Sequence, residues 1–508
     1  MRRSRLTIAL LAGLAGCSLI PDYHRPALPV SEQWPGGPAA EEAARAVPAG
    51  APPAAALGWR DFFAGPAMQD LIALTLENNR DLRVAALNVI AAEAQYRVDR
   101  ASLFPQVDAT AGLQRSRTPA SVEGLAGITG ISALNVREYS LGLSTVSWEL
   151  DFFGQIRSQA KQAQETYVSN AETEISTRIA LVAEVTSEYL TWLADRDSLA
   201  VSEDTVKVQA DSLQLAEQRS SRGTATDQDV AQAETTLRTA DASAAQFTRQ
   251  VAQDMDELVL LVGAPLPDAL VERMNAEAGL GSQPAFPDLP AGVPSDLLER
   301  RPDIRAAEHA LLAANANIGA ARAAFFPQIT LTGQYGTASA DLHHLFVGGS
   351  SFWVFNPSLS LPIFDAGRNQ ANLDIAKVEK HIEVANYEKA IQSAFHDVAD
   401  ALAGRGTYID QVTAEQRLVD ADARFYDLAV MRFRNGVDNY TNVLVAQDGL
   451  LSARLSLISL RLAQQQNLVT LYKALGGGWD ERSQASAPSA PLSRGAGEGA
   501  TRRAASGG

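Results

Sequence analysis

The residues that could do chemistry are few, and their spacing does not suit it. Six histidines occur, His24, His309, His343, His344, His381 and His396. None forms the His-Glu-x-x-His pattern that would put two ligands on one helix face. His343 and His344 fall in a predicted hairpin loop and read as solvated. The acid groups Glu41-Glu42 and Asp254, Asp256, Glu257 read as a solvated segment and a solvated helix face. No glycine-rich phosphate loop stands between a strand and a helix. With one cysteine, Cys17, there is no thiolate cluster and no intramolecular disulfide. No catalytic residue, metal or cofactor is therefore expected. A formal net charge of −16 disfavours a nucleic-acid partner, because binding phosphates takes lysine and arginine.

Cys17 has another chemistry open to it. Arg2, Arg3 and Arg5 precede an apolar run from Leu6 to Leu14, and Leu14-Ala15-Gly16-Cys17 ends it. This is the layout of a short secretory signal, residues 1–16, rather than of a membrane span. At its end Cys17 resembles a bacterial lipoprotein acylation site. Acyl chains there would anchor the mature N-terminus, each buried CH₂ contributing ~0.8 kcal/mol. Ser18, in place of aspartate, resembles lipoproteins sorted to the outer membrane. No later stretch of 18 apolar residues forms a transmembrane helix.

The elements that must position such an anchored chain are long and duplicated. From Gln155 to Arg222 there are 68 residues without Gly or Pro, roughly 100 Å as one helix at ~1.5 Å per residue. Gly223 breaks the run. Val230, Ala233, Leu237, Ala240, Ala244, Phe247, Val251, Leu258 and Val262 then recur at heptad spacing, with Asp254 in the skipped place. The spacing predicts a second arm lying back on the first as a coiled coil. Adding 213 carries Gly154 to Gly367, Gly223 to Gly436 and Gly263 to Gly476. The seam moves onto Val443, Ala446, Leu450, Ala453, Leu457, Leu460, Gln464, Leu471 and Leu475. At offset 222, Arg80-Asp81-Leu82-Arg83 answers Pro302-Asp303-Ile304-Arg305. Two copies of one unit follow, residues 66–280 and 281–478.

Around them, residues 17–65 are rich in proline and read as an extended strap, docked through Trp59, Phe62 and Phe63. One helical stretch is expected from about Ala67 to Leu103. Alternating residues predict β-hairpins at about 104–150 and 327–363, the last strand weakened or placed near an edge by Pro357 and Pro362. Long helices are expected at 154–222 and 367–435, and return arms at 225–262 and 438–475. Gly404 and Gly406 predict a kink or local unwinding of the second long helix. A disordered tail is expected from 479 to 508. Aromatics crowd the hairpins: Phe104, Tyr139, Trp148, Phe152, Phe153, Phe325, Phe326, Tyr335, Phe352, Trp353 and Phe355. They suit the interfaces of a bilayer or an apolar cap on a helical bundle. Four strands alone cannot sit in lipid with open edges, so either they stay out of the membrane or several chains share one barrel.

These residues resemble the TolC-like outer-membrane efflux proteins, in the lipoprotein branch called NodT. The matching pieces are Cys17 with Pro21-Asp22-Tyr23, the run Leu297 to Ile304 containing Arg300-Arg301-Pro302-Asp303, and the two Phe-Pro-Gln turns at Phe104 and Phe326. Trp148-Glu149-Leu150-Asp151-Phe152-Phe153-Gly154 and Gly436-Val437-Asp438-Asn439-Tyr440 complete them. They cover almost the whole mature chain except the tail. The resemblance implies a fold that is mainly α with a small β part, in a homotrimer. Its α-helical tunnel would join a shared 12-stranded transmembrane β-barrel. It further implies the exit duct of a tripartite efflux pump, lodged in outer-membrane lipid. Its partners would be a periplasmic adaptor and an inner-membrane transporter of RND type or similar. A type I secretion duct, a periplasmic adaptor lipoprotein and a structural rod are the alternatives. An adaptor would normally carry one coiled-coil hairpin, whereas here there are two.

The turns at Arg219 to Asp227 and Arg432 to Tyr440 end the two coiled coils farthest from the hairpins. The resemblance makes Arg219, Gly223, Arg432 and Gly436 adaptor contacts and puts the second tip on the inside, at a periplasmic aperture. Asp438 matches the aspartate of the family run, and Phe433 stands where an aromatic is common. Asn442 and Val445 hold positions that relatives often fill with acidic or polar groups. A Val445 ring would close the pore by packing and excluding water. The alternative is that Val445 is a seam residue. Asp438 carboxylates near an axis would repel one another unless paired with Arg432 or Arg434.

Overall fold

The computed structural model describes residues 18–31, 34, 54–119, 133–287, 289–290 and 297–483. The signal peptide, Cys17 and the expected disordered tail beyond 483 lie outside the described residues, as does the strap from 35 to 53.

Ten helices and four strands follow in order among the described residues. They are α1 (Trp59–Phe62), α2 (Pro66–Asn78), α3 (Arg80–Ala101), β1 (Asp108–Pro119), β2 (Ala133–Glu149), α4 (Gln155–Ser220) and α5 (Asp227–Val262). After them come α6 (Asp268–Ala276), α7 (Leu297–Arg300), α8 (Pro302–Ala323), β3 (Gln328–Ser339), β4 (Ser351–Ser360), α9 (Arg368–Arg434) and α10 (Tyr440–Ala474). The helices α4 and α9, of 66 and 67 residues, are the longest elements and run from the sheet to the tips. Both start after a glycine in the left-handed region, Gly154 at φ 77° and Gly367 at φ 85°. Asp151 and Asp365 carboxylates take the free N–H groups of Arg157 and Asn369, each at 2.9 Å.

Near the sheet the helices stand side by side as α3, α4, α8 and α9; toward the tips the order is α5, α4, α10 and α9. The heptad seam is where expected: Ala233, Leu237, Ala240, Leu258 and Val262 are buried on α5, and Val443, Ala446, Leu450, Ala453, Leu457 and Leu471 on α10. The main core sits midway, where shorter helices meet end to end. Trp59, Phe62, Phe63, Met68, Leu71, Tyr189, Trp192, Leu258, Tyr387 and Tyr472 all belong to it. Phe62 stacks on Tyr472 at 4.0 Å between ring centroids, so the strap docks at the predicted aromatics.

Three expectations are corrected. The stretch Ala67 to Leu103 is two helices, because Asn79 leaves the helical region and caps α3, its Oδ1 accepting from Leu82 N at 2.9 Å. Gly404 and Gly406 do not unwind α9, which is helical throughout. Gly404 is there for room: a Cβ on it would lie 2.5 Å from the Asn467 amide nitrogen. The tail does not begin at 479, since Asp480 and Glu481 carbonyls accept from the N–H groups of Trp59 and Arg60 at 3.0 and 3.1 Å.

Candidate functional site

The four strands make one antiparallel sheet in the order β1-β2-β3-β4. The pairing registers place Ala109, Ala111, Leu113, Tyr139, Leu141, Leu143, Ile329, Leu331, Tyr335, Trp353, Phe355 and Leu359 on one face. The other carries Asp108, Thr110, Gln114, Ser140, Ser144, Thr330, Thr332, Gln334, Asn356 and Ser358. The apolar face is uncovered: Trp353 is 74% exposed and Tyr335 67%. An apolar face in contact with nothing and a polar face opposite is the pattern of a barrel wall between lipid and a wet lumen. A bulge between Thr145 and Trp148, with Ser147 at φ 51°, shifts the register near the helix end of β2.

β1 and β4 each have one unpaired edge, and the flanking helices carry matching apolar rows. Val84, Leu87, Ile90 and Val98 on α3, and Ile375, Val378 and Ile382 on α9, are all more than half exposed. Spacings of three, four and eight residues put each row on one helix face. The two flanks of this chain are therefore unfinished from the sheet down through the upper helices.

Midway, each short pair of helices is joined to a returning arm by one side chain. Asn79 Nδ2 donates to the Leu261 carbonyl at 2.8 Å. At the matching positions of the second copy, Arg301 Nη1 donates to the Ala474 carbonyl at 2.9 Å. Arg301 also grips Asp303 through Nε and Nη2, at 3.1 and 2.7 Å, and reaches Asp397 at 3.2 Å. This explains the Arg-Pro-Asp run: the proline starts α8, the aspartate pairs the arginine, and the arginine closes the end of α10. The role was legible from the two offsets, which carry Asn79 to Arg301 and Leu261 to Ala474.

Beside that junction Asp254 departs from its reading as a solvated helix residue. It is half-buried on α5, with one carboxylate oxygen fully covered and unpartnered. Burial pushes its pKa up to about 7, helped by the carboxylates of Asp195 and Glu188 on α4. Asp256 and Glu257 stay exposed.

At the tips, Gly223 and Gly436 take left-handed φ of 71° and 69°, which closes each turn tightly. Thr226 and Asp229 form a capping box for α5; Asn439 caps α10. The Arg219 guanidinium lies 4.6 Å over the Phe433 ring, and Phe433 packs 5.2 Å from Tyr440. Phe433 thus bridges the two coiled coils of one chain. Asp438 accepts from Asn442 Nδ2 at 2.7 Å and Arg432 Nε at 3.3 Å. Its carboxyl is held below the usual range by the Asn439 backbone N–H, with Arg432 and Asn442 adding to it. Val445 is 59% exposed, so it is not a seam residue within the chain. The sequence did not point to the Arg219–Phe433 bridge, since nothing local links residues of different arms.

The strap runs antiparallel to α8. Arg322 Nη1 donates to the Leu19 carbonyl at 3.1 Å and Asn315 Nδ2 to the Pro21 carbonyl at 2.8 Å. Tyr23 donates to Glu308 at 3.1 Å, and Arg25 forks onto it with two bonds of 2.8 Å. Ser18 therefore lies by the end of α8 that leads into β3.

The family described as "Outer membrane efflux protein" matches residues 71–264 and 293–477, once in each half. The chain belongs to that family. Among its relatives, the toluene efflux pump outer membrane protein TtgC of Pseudomonas putida is 46% identical over 486 residues, 95% of this chain and 97% of that one. Outer membrane protein OprJ of Pseudomonas aeruginosa is 40% identical, with coverage of 94% and 96%. The crystal structure of the open state of the Neisseria gonorrhoeae MtrE outer membrane channel superposes with a TM-score of 0.80 at 35% identity, covering 92% of this chain and 100% of that one. As an outer membrane efflux protein, the chain is a channel of the outer membrane that extends into the periplasm, with a helical tunnel below a β-barrel.

Proposed function

We propose that this efflux protein works as a homotrimer, the exit duct of a tripartite pump. The observation that carries the reading is the unfinished flank. An open four-stranded sheet with one bare apolar face cannot rest in lipid alone. Pairing β1 of one copy with β4 of the next satisfies both edges, and the same rotation sets the α3 row against the α9 row. Three copies repeated around an axis then close a barrel of twelve strands, large enough for a polar lumen.

The duct does no chemistry of its own; an inner-membrane transporter of RND type or similar supplies the energy through a periplasmic adaptor. The tips around Arg219, Gly223, Arg432 and Gly436 are the adaptor's docking points. Asp438, Asn442 and Val445 line the aperture, with Phe433 holding the second tip to the first. Relatives named for toluene and antibiotic efflux favour small apolar compounds and drugs as cargo. Acylated Cys17 anchors the N-terminus, which the position of Ser18 beside the start of β3 supports.

The test is a deletion strain complemented with wild type or with Val378→Asp/Ile382→Asp. Wild type is expected to give SDS-resistant trimers and restore solvent and antibiotic tolerance, and the double variant neither. Tolerance restored by a protein that remains monomeric in the outer membrane would refute the trimeric duct.

A further inference from the structure

The apolar face of the sheet has charged residues at one end only, and all of them are arginines. Arg115, Arg117 and Arg137 share the face of Leu113, Tyr139 and Leu141, and no carboxylate stands on it in any of the four strands. Arg115 and Arg137 are directly opposite in the register, with Arg117 opposite Asn135 just beyond. Like charges placed across from each other destabilise a strand pair unless something lies between them. In a chain of net charge −16, such a gathering is not a by-product of composition.

Their neighbours leave them largely unneutralised. Arg137 lies 4.9 Å over the Tyr139 ring and donates to the Tyr139 hydroxyl at 2.8 Å. Its nearest carboxylate, Asp341, is 3.9 Å away, and both groups are about half exposed. Among the described residues Arg115 and Arg117 make no hydrogen bond or ion pair and are exposed. The next group along the β3–β4 connection is the pair His343 and His344, their rings tilted at 48° with centroids 3.9 Å apart.

Height fixes which lipid meets them. β1 leaves the helices at Asp108 and ends in the far loop after Pro119. With ~3.3 Å per residue and a tilt of ~45°, Arg115 lies roughly 16 Å and Arg117 roughly 21 Å above the first strand residue, in the upper part of an apolar band about 25 Å tall. Immediately below Arg115 are the acyl-facing residues Leu113 and Leu141, with Tyr139 at the boundary.

We propose that Arg115, Arg117 and Arg137 form a binding site for a phosphorylated glycolipid headgroup of the outer leaflet. The phosphate would sit between Arg115 and Arg137, taking forked hydrogen bonds that relieve their repulsion, while the acyl chains lie on Leu113, Leu141 and Leu143. The site rests on the reading of this face as the lipid-facing one. Loss of three surface cations is worth about fivefold in affinity each, hence about 100-fold together.

The experiment is native mass spectrometry of the purified full-length protein with bis-phosphorylated lipid A, dephosphorylated lipid A and inorganic phosphate. Wild type is expected to retain the bis-phosphorylated lipid, and the triple variant Arg115→Gln/Arg117→Gln/Arg137→Gln to lose about 100-fold. The matching Arg→Lys variant, which keeps the charges and loses the forked geometry, should fall between the two. If the triple variant does not assemble, Arg117→Gln alone should lose about fivefold. Equal retention by wild type and variants, or of both lipids alike, would overturn the site, as would tight binding of inorganic phosphate that displaces the lipid. Quenching of Trp353 fluorescence by brominated lipid, lost in Trp353→Phe, reports separately whether this face is in the bilayer.

Discussion

The two halves of the chain use one backbone plan and disagree in their side chains, and the disagreements fall at three places. At the mid-rod junction a neutral Asn79 holds the Leu261 carbonyl, where Arg301 holds that of Ala474 and adds two carboxylates. In the skipped heptad place the first half has Asp254 against Asp195 and Glu188; the second has Asn467 against Gly404. At the tips Arg219 reaches across to Phe433, while Arg432, its counterpart, stays on its own arm with Asp438. Geometry that both copies need is written in glycine and heptad leucine. Charge marks where the copies do different jobs.

The junction offers the largest contrast. Arg301→Ala takes the side-chain donor from the Ala474 carbonyl and leaves Asp303 with only the Ile304 N–H, and should cost about 3 kcal/mol. Asn79→Ala removes a cap and one tie, at about 1 kcal/mol. Thermal unfolding of the purified proteins measures both. Equal losses would mean that the two junctions bear the same strain and that the salt links of Arg301 are ornamental.

The carboxylate cluster should show itself in pH. The folded pKa of Asp254 is raised above its unfolded value of 3.8 to about 7. Between those values the folded state binds more protons than the unfolded one, so this group lowers stability as pH rises through the window, and the full penalty stands above about pH 7. Asp254→Asn, which copies the second half, should raise the melting temperature at pH 8 by about 2–4 °C, with little change at pH 4. A gain of the same size at both pH values would trace it to packing instead of charge.

The smallest expected effects are at the tips. Asp438→Ala loosens an exposed, solvent-screened link, so the open fraction should rise by no more than a few-fold. Val445→Asp should act in the same direction by wetting an apolar ring. Arg219→Ala frees the tip from the first arm without touching Asp438. Single-channel conductance in planar bilayers ranks them; if Arg219→Ala opens the channel more than Asp438→Ala, the cross-arm bridge is the stronger latch.

Much of this was legible from residue order. A run without Gly or Pro can only be a long helix, and heptad spacing forces a partner onto its seam, because both follow from local geometry that repeats every few residues. The three glycine pairs at offset 213 marked the turns because each takes a left-handed φ that other residues resist. The alternation marked the two hairpins for the same reason, and left open whether their aromatics met a bilayer or capped a helical bundle. Where the local signal was ambiguous, the reading failed: Asn79 looked like another helix position, and Gly404 like a place for local unwinding.

Tertiary structure alone decided what no short-range rule encodes. That Arg301 closes α10, that Arg219 covers Phe433, that Asp254 faces Asp195 and that Arg115 stands opposite Arg137 depend on which elements meet and in what register. Those contacts join residues up to more than two hundred positions apart. A side chain's charge is set by its own codon, but the cost or value of that charge is set by what the fold places within a few ångströms of it.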